Sequence, residues 1–484
     1  MTVDLENLVR EAQQLQRLQR VPEAIQAYQR ALERQPDLAD CWFNLGVLFK
    51  TQRQLPEALA AYQKALDNGI SSPEEVHLNR GVIYSDYLRE DAAAERELQQ
   101  ALRLNSCYVP ALLNLANLNE DLGRRPEATA LYERILTLEP GCFEALARYA
   151  NLQPASSAND GLIAQLQTAL HTPATAAEHA SLGFALGRLL DGVGRFAEAF
   201  KTHTAANASS RASAAPGTAT YDRKRHEELI DSLICSPPAT RPNGVTRGEP
   251  GPQPIFICGL FRSGSTLAEQ LLAAHPGVIA GGELDTLQRL AAAVPPAVSA
   301  SPDPLASLAA AYRHELARMF PGANYVTDKR LDNFLRIGLI KSLFPDAMIV
   351  HTTRDPLDNC LSIYFLHLDH SMSYALELLD IGHYFRQYHR LMAHWQRSFG
   401  ADIFELNYDS FVQQPARQAA QLFEFLGLRW EDRYLSADSR SQAVKTASVW
   451  QVREPIYTRS SGRAAHYRTE LSALREYLSD LLPK

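Results

Sequence analysis

The sequence predicts an α-solenoid followed by an α/β domain built on a parallel sheet, and three observations predict it. The first 210 residues repeat themselves with a period near 34. A glycine-rich turn joins an apolar strand to a helix around residue 259, and a second strand ends in Arg354-Asp355-Pro356. The chain has 484 residues, 46% hydrophobic and 21% charged, which excludes collagen-like and wholly disordered classes.

The repeat comes first. VPEAIQAYQRALERQPD, LPEALAAYQKALDNG, DAAAERELQQALRLN, RPEATALYERILTLEP and, more weakly, FAEAFKTHTAANA fall on one template. Leu32, Leu66, Leu102, Leu136 and Leu170 mark one point at spacings of 34, 36, 34 and 34, and Ala206 follows 36 later. Each unit pairs this helix with an upstream apolar one, and Gly46, Gly81 and Ala116 stand where two helices would touch. This is the tetratricopeptide pattern, whose two-helix unit cannot bury its apolar face alone and therefore stacks. The expected boundaries are a repeat superhelix over 1–210, a helix and Pro/Gly-rich linker over 211–250, and an α/β domain over 251–484. The repeat groove is expected to hold a peptide or protein, or a second copy of the chain as a homodimer.

Charge divides unevenly. Residues 1–234 carry 23 Lys+Arg against 30 Asp+Glu, and the remainder carries 25 of each, so neither half is the basic domain of a nucleic-acid binder. Six scattered cysteines show no metal-ligand spacing, no apolar run approaches ~20 residues, and the first residues lack a signal-peptide pattern. A soluble cytoplasmic protein is expected.

Pro254–Cys258 reads as a buried parallel strand, followed by Gly259-Leu-Phe-Arg-Ser-Gly264-Ser265-Thr266 and a helix. The glycines and Thr266 match the phosphate-loop spacing, but Ser265 replaces its lysine. Backbone N–H groups and the helix N-terminus can still cradle an anion, Ser265 and Thr266 add hydroxyl donors, and Arg262 supplies a forked donor. That suits a monophosphate-like group handled without metal better than a triphosphate. Residues 346–353 read as a second strand delivering Arg354 to a sheet's carboxyl end, and Ser362 lies two helical turns on. Two anion pockets imply a nucleotide phosphorylated in two separate places.

FICGLFRSGSTLAEQLLAAHPGVIAGGE, VTDKRLDNF and IVHTTRDPLDNCLSIY together resemble sulfotransferases that use PAPS (3′-phosphoadenosine 5′-phosphosulfate), most nearly the tyrosylprotein type and its bacterial fusions to tetratricopeptide repeats. The resemblance covers about residues 252–470. It implies that Arg262, Ser263, Gly264, Ser265 and Thr266 hold the 5′-phosphosulfate, and that Arg354 and Ser362 hold the 3′-phosphate. Glu283 would be the base and Lys329 would steady the sulfuryl group. Tyr408 would lie near the nucleotide, and Ser448 and Arg463 on a segment closing over it. The acceptor would be a hydroxyl, a protein tyrosine among the candidates, although Leu366 stands where the tyrosylprotein enzymes carry another basic residue.

Asp285, His351, His367 and His370 compete with Glu283 for the base, while Cys258 and Cys360 read as buried apolar fillers rather than nucleophiles. Two other functions compete with sulfuryl transfer. One is a scaffold that binds a nucleotide without turning it over, and the other is a nucleotide kinase, which Ser265 disfavours.

Overall fold

The structure, a computed structural model, describes residues 3–154, 156, 159–235, 251–293, 304–436 and 460–482. Two compact units emerge, Met1–Leu152 and Gln153–Lys484.

The first unit is a solenoid of antiparallel helix pairs: α1 (Val3–Arg17) with α2 (Val21–Arg34), α3 (Ala39–Thr51) with α4 (Leu55–Asp67), α5 (Pro73–Val82) with α6 (Asp91–Leu104), and α7 (Val109–Asp121) with α8 (Arg125–Leu138). Helix α9 (Phe143–Leu152) packs on α8. Pro22, Pro56 and Pro126 sit in the first turn of their helices, where the missing N–H costs nothing. The turn inside each pair is left-handed at Gln19, Arg53, Arg89 and Gly123, so the repeat is visible in the backbone as well as the side chains. Tyr28, Tyr62 and Tyr132 occupy one buried position of the second helix. The facing residue must be small, because a Cβ on Gly46 would stand 2.7 Å from the Tyr62 ring.

The second unit opens with α10 (Asp160–Leu170), α11 (Ala176–Gly192), α12 (Phe196–Ala212) and α13 (Arg223–Cys235). Helices α11 and α12 cross closely at Gly183 and Gly187, where added Cβ atoms would lie 2.8 Å from Ala206 and 2.5 Å from His203. The sheet domain then runs β1 (Gln253–Gly259), α14 (Ser265–Ala273), β2 (Val278–Ala280), α15 (Thr286–Ala293), α16 (Pro304–Met319), β3 (Tyr325–Asp328), α17 (Ile337–Leu343) and β4 (Ile349–Thr353). It finishes with α18 (Pro356–Tyr364), α19 (Leu378–Phe399), β5 (Ile403–Asn407), α20 (Tyr408–Gln413), α21 (Pro415–Phe425) and α22 (Ser472–Tyr477).

All strand pairings are parallel, in the order β2-β3-β1-β4-β5. Both faces of β1 are covered: Phe256 and Cys258 join the core under α16, α17 and α19, and Ile255 and Ile257 join the core under α14 and α21. The chain leaves β1 for one edge and returns to the other side of it at β4. The carboxyl ends of β1 and β4 therefore flank a topological switch point, where open α/β sheets bind ligands.

Burial holds three imidazoles neutral, depressing His203 and His351 to about 3 and His226 to about 4. A histidine depressed in the fold stabilises it fully above its unfolded pKa of ~6.5, and that contribution is lost as pH falls towards the folded value. Asp328, raised to about 6 by burial, acts in the opposite sense, since its stabilisation is present at low pH and lost as pH rises through 6. Burial also lowers His275, His367 and His394, which act with these three, and raises Glu120, Glu269 and Asp358, which act with Asp328. With six imidazoles set against four carboxyls among the described residues, the melting temperature should fall as pH drops from 6.5 to 4.5. Calorimetry across that interval tests this, and a flat or rising curve would contradict it.

Candidate active site

The loop between β1 and α14 is pressed against the end of β4. A Cβ on Gly259 would sit 2.5 Å from the Thr352 carbonyl and 2.8 Å from Ser263 Oγ. Ser263 Oγ donates to the Leu260 carbonyl at 2.6 Å and lies 2.7 Å from Thr352 Oγ1. Arg262 adopts φ +69, a left-handed conformation uncommon for a residue with a side chain. The neighbouring helix supports this bend, since Asn359 Nδ2 donates to the Phe261 carbonyl at 2.9 Å and Arg354 Nη1 to the Arg262 carbonyl at 3.3 Å. Gly264, at φ +98, caps α14, and a Cβ there would stand 2.8 Å from the Tyr408 ring. The first turn of α14 carries Ser265 and Thr266, both buried, at the positive end of the helix dipole.

The two expected anion groups converge. Arg262 Nε donates to Ser362 Oγ at 3.2 Å. Arg354, 8% exposed, lays its guanidinium 5.1 Å over the Tyr408 ring and donates Nη2 to the Ser460 carbonyl, while its buried Nε has no hydrogen-bond partner among the described residues. A buried donor without an acceptor costs ~1–3 kcal/mol, so this nitrogen is suited to an incoming oxyanion. Asp355 does not neutralise Arg354, since its carboxylate caps α18 by accepting from Leu357 N and Asp358 N. Asp358, held above the usual carboxylate range by burial, accepts from Gly462 N and Ala464 N.

The return of the chain at 460–467 thus lies beside Arg354. Ser461 Oγ donates to Asp409 Oδ1 at 2.6 Å. Arg463 does not turn to this cluster. It forms a two-pronged pair with Asp191 of α11 at 3.1 and 2.7 Å and stacks 5.1 Å over Phe365, and Tyr467 donates to the same carboxylate. A guanidinium so satisfied anchors the segment rather than offering donors to a ligand. Ser448 lies outside the described residues.

A third group forms where β2 and β3 end. Lys329, 1% exposed, donates Nζ to Glu283 Oε1 at 3.0 Å and lies 4.0 Å from Glu269 Oε2. Glu283, by contrast, is half-exposed, so its second oxygen can meet a substrate. Asp285 is exposed two residues further on. His351 is sealed inside the sheet with Nε2 against the Tyr388 hydroxyl, His367 stacks on Phe184 at 5.0 Å, and His370 meets Ser213 at 3.3 Å. Cys258 and Cys360 are buried, and burial pushes the Cys258 thiol up to about 12, well away from a nucleophile's range.

Residues 254–432 match the sulfotransferase family, and residues 9–73 match the tetratricopeptide repeat. This chain carries a sulfotransferase domain behind tetratricopeptide repeats. An uncharacterized protein of Aquifex aeolicus (strain VF5) is 30% identical over 422 residues, 83% of this chain and 53% of its own length. The chain therefore spans about half the length of that relative. Among solved structures, PilW, a type IV pilus biogenesis factor, shares 20% identity at a TM-score of 0.35, covering 43% of this chain and 94% of its own. YrrB, a tetratricopeptide protein with an unusual peptide-binding site, shares 20% at 0.28, covering 34% and 84%.

The sulfotransferase domain holds functional candidates that sequence reading passed over. Thr352 and Asp358 lie inside quoted motifs, yet their partners, Ser263 and the 462–464 backbone, are far away in the chain. Glu269 had a legible signal, the single charged residue of α14, one turn after Ser265. Thr352→Val keeps the side chain's shape and removes the hydroxyl that meets Ser263. It should cost about 1–2 kcal/mol in thermal or urea unfolding, and an unchanged unfolding curve would show that this contact does not hold the loop.

Proposed function

We propose that the chain transfers a sulfuryl group from PAPS to an acceptor hydroxyl, with the repeats recruiting a protein acceptor in the cytoplasm. The observation that supports this most is Arg354, buried with Nη1 on the Arg262 carbonyl of the loop and with Nε unpartnered among the described residues. Two anion sites on one crevice suit a nucleotide bearing phosphate groups at separate positions.

The residues present fit such a donor. The amides opening α14, with Ser265 and Thr266, would hold the 5′ end; Arg354 and Ser362 would hold the 3′-phosphate, with Tyr408 beneath them. PAPS would supply an activated sulfuryl group and a bisphosphate leaving group. Glu283 takes the acceptor's proton as the oxygen–sulfur bond forms and the bond from sulfur to the bridging oxygen breaks. Lys329 and Arg262 face the negative charge that builds on the sulfuryl and bridging oxygens, and as fixed cations they need no reorganisation to do so. An acceptor tyrosine on a peptide is the favoured substrate, because a repeat groove is suited to hold one.

Incubating the full chain with PAPS and acceptor peptides should release adenosine 3′,5′-bisphosphate and give sulfated product. Binding of the bisphosphate without any turnover would favour the scaffold reading instead. Glu283→Gln should lower kcat by about 10²–10⁴ with little change in donor affinity, so wild-type turnover would dismiss Glu283 as base. Arg354→Ala should weaken bisphosphate binding by roughly 1.5–3 kcal/mol, the worth of a charged hydrogen bond. Adenosine 5′-phosphosulfate, which lacks the 3′ group, should barely sense that change; an equal loss for both ligands would move the 3′ site elsewhere.

A further inference from the structure

The least expected group in the sulfotransferase domain is Glu269. It is 4% exposed on α14, in the same helix whose first turn forms the anion cradle. Thr327 Oγ1 donates to its Oε1 at 2.8 Å, and Gly282 N donates to the same oxygen at 3.0 Å. Its Oε2 lies 4.0 Å from Lys329 Nζ. Gly281 N donates to Thr327 Oγ1 at 3.1 Å, and Lys329 N to the Gly282 carbonyl at 2.9 Å, so the whole turn is tied to this one carboxylate. The turn tolerates little else, since a Cβ on Gly281 would lie 2.2 Å from the Thr327 carbonyl and Gly282 stands at φ +70. The next residue is Glu283.

We propose that Glu269 is a positioning residue for this site: it sets the turn that presents Glu283 and supplies a second carboxylate to Lys329. The proposal rests on the reading of Glu283 as the base. Lys329 is buried, and its nearer partner Glu283 is half-exposed and must accept a proton during the reaction. At that moment the ammonium would be left buried and uncompensated, which is costly. Glu269, 4.0 Å from the ammonium, offsets that cost by leaving Lys329 a carboxylate neighbour when Glu283 takes up the proton. Before proton transfer the two carboxylates share one ammonium, so a change of charge on either is felt by the other.

The titratable groups that face Glu269 among the described residues are Lys329 at the end of β3 and Glu283 on the turn after β2; Thr327 and Gly282 present neutral donors. Burial raises the Glu269 carboxyl, Lys329, Thr327 and Gly282 oppose that rise, and the charge of Glu283 adds to it.

The test compares Glu269→Gln, which retains an acceptor for Thr327 and Gly282 but removes the charge, with Glu269→Ala, which removes both. In the glutamine variant, kcat for sulfuryl transfer should fall about tenfold with donor KM within about twofold. The acid limb of the kcat/KM profile should move to lower pH by about one unit, because a like charge has been removed near the base. An unchanged limb, with or without a lower rate, would reduce Glu269 to a structural residue. Carbon-13 NMR of the Glu283 carboxyl, assigned by Glu283→Gln and recorded on the full chain without nucleotide, reads the same coupling without turnover. A lowered Glu283 midpoint in Glu269→Gln supports the proposal even if PAPS is not the donor, and an unmoved midpoint overturns it even if it is. Glu269→Ala should in addition lose thermal stability, and retention of wild-type melting would refute its part in setting the turn.

Discussion

No side chain fits where Gly259 passes the end of β4, and the sulfotransferase domain is arranged around that contact. Thr352 occupies the space a Cβ would need, so the chain must turn there, and Arg262 takes a left-handed conformation three residues before α14 begins. That bend is unfavourable alone, by roughly 1–2 kcal/mol for a residue with a side chain. Its upkeep comes from β4 and α18, through Thr352, Arg354 and Asn359. The residues that shape the cradle also line it, and so the anion sites on β1 and β4 are built as one object.

Charge is used locally. The chain carries a formal net charge of -7, yet Arg262, Arg354 and Lys329 stand in one domain at the carboxyl ends of parallel strands. Each is handled differently: Arg262 meets a hydroxyl, Arg354 meets carbonyls and a ring, and Lys329 is shared by two carboxylates. Arginines held by hydroxyl and carbonyl oxygens keep attraction for an incoming anion, whereas a lysine shared by two carboxylates is better suited to responding when its neighbour gains a proton.

The carboxylates around the site act mainly as fasteners. Asp355 caps a helix, Asp358 fastens the 462–464 backbone, Asp409 holds Ser461, and Asp191 secures Arg463 and Tyr467. Helix α11, repeat-like in sequence, therefore reaches the segment beside Arg354, and α12 adds a hydrogen bond from Asn207 Nδ2 to the Tyr364 carbonyl at 2.9 Å.

Local pattern was enough for the architecture, because its causes are local. Apolar spacing near 34 specifies helix pairs, and an apolar run before Gly259 specifies a strand feeding a turn. The two anion motifs were legible for the same reason: Ser263–Thr266 and Arg354 each lie where a strand ends. Long-range pairing was not legible. Nothing around position 191 marks it as the partner of Arg463, and only folding shows that this guanidinium is already spent. Nor does a single charge in a helix say which lysine it meets; Glu269 and Lys329 are brought together by the parallel pairing of β2 and β3 beside α14. Residue type and spacing determined what chemistry the chain can hold, and tertiary structure decided which charges face one another, because the energy of a buried charge depends on neighbours that the sequence keeps far apart.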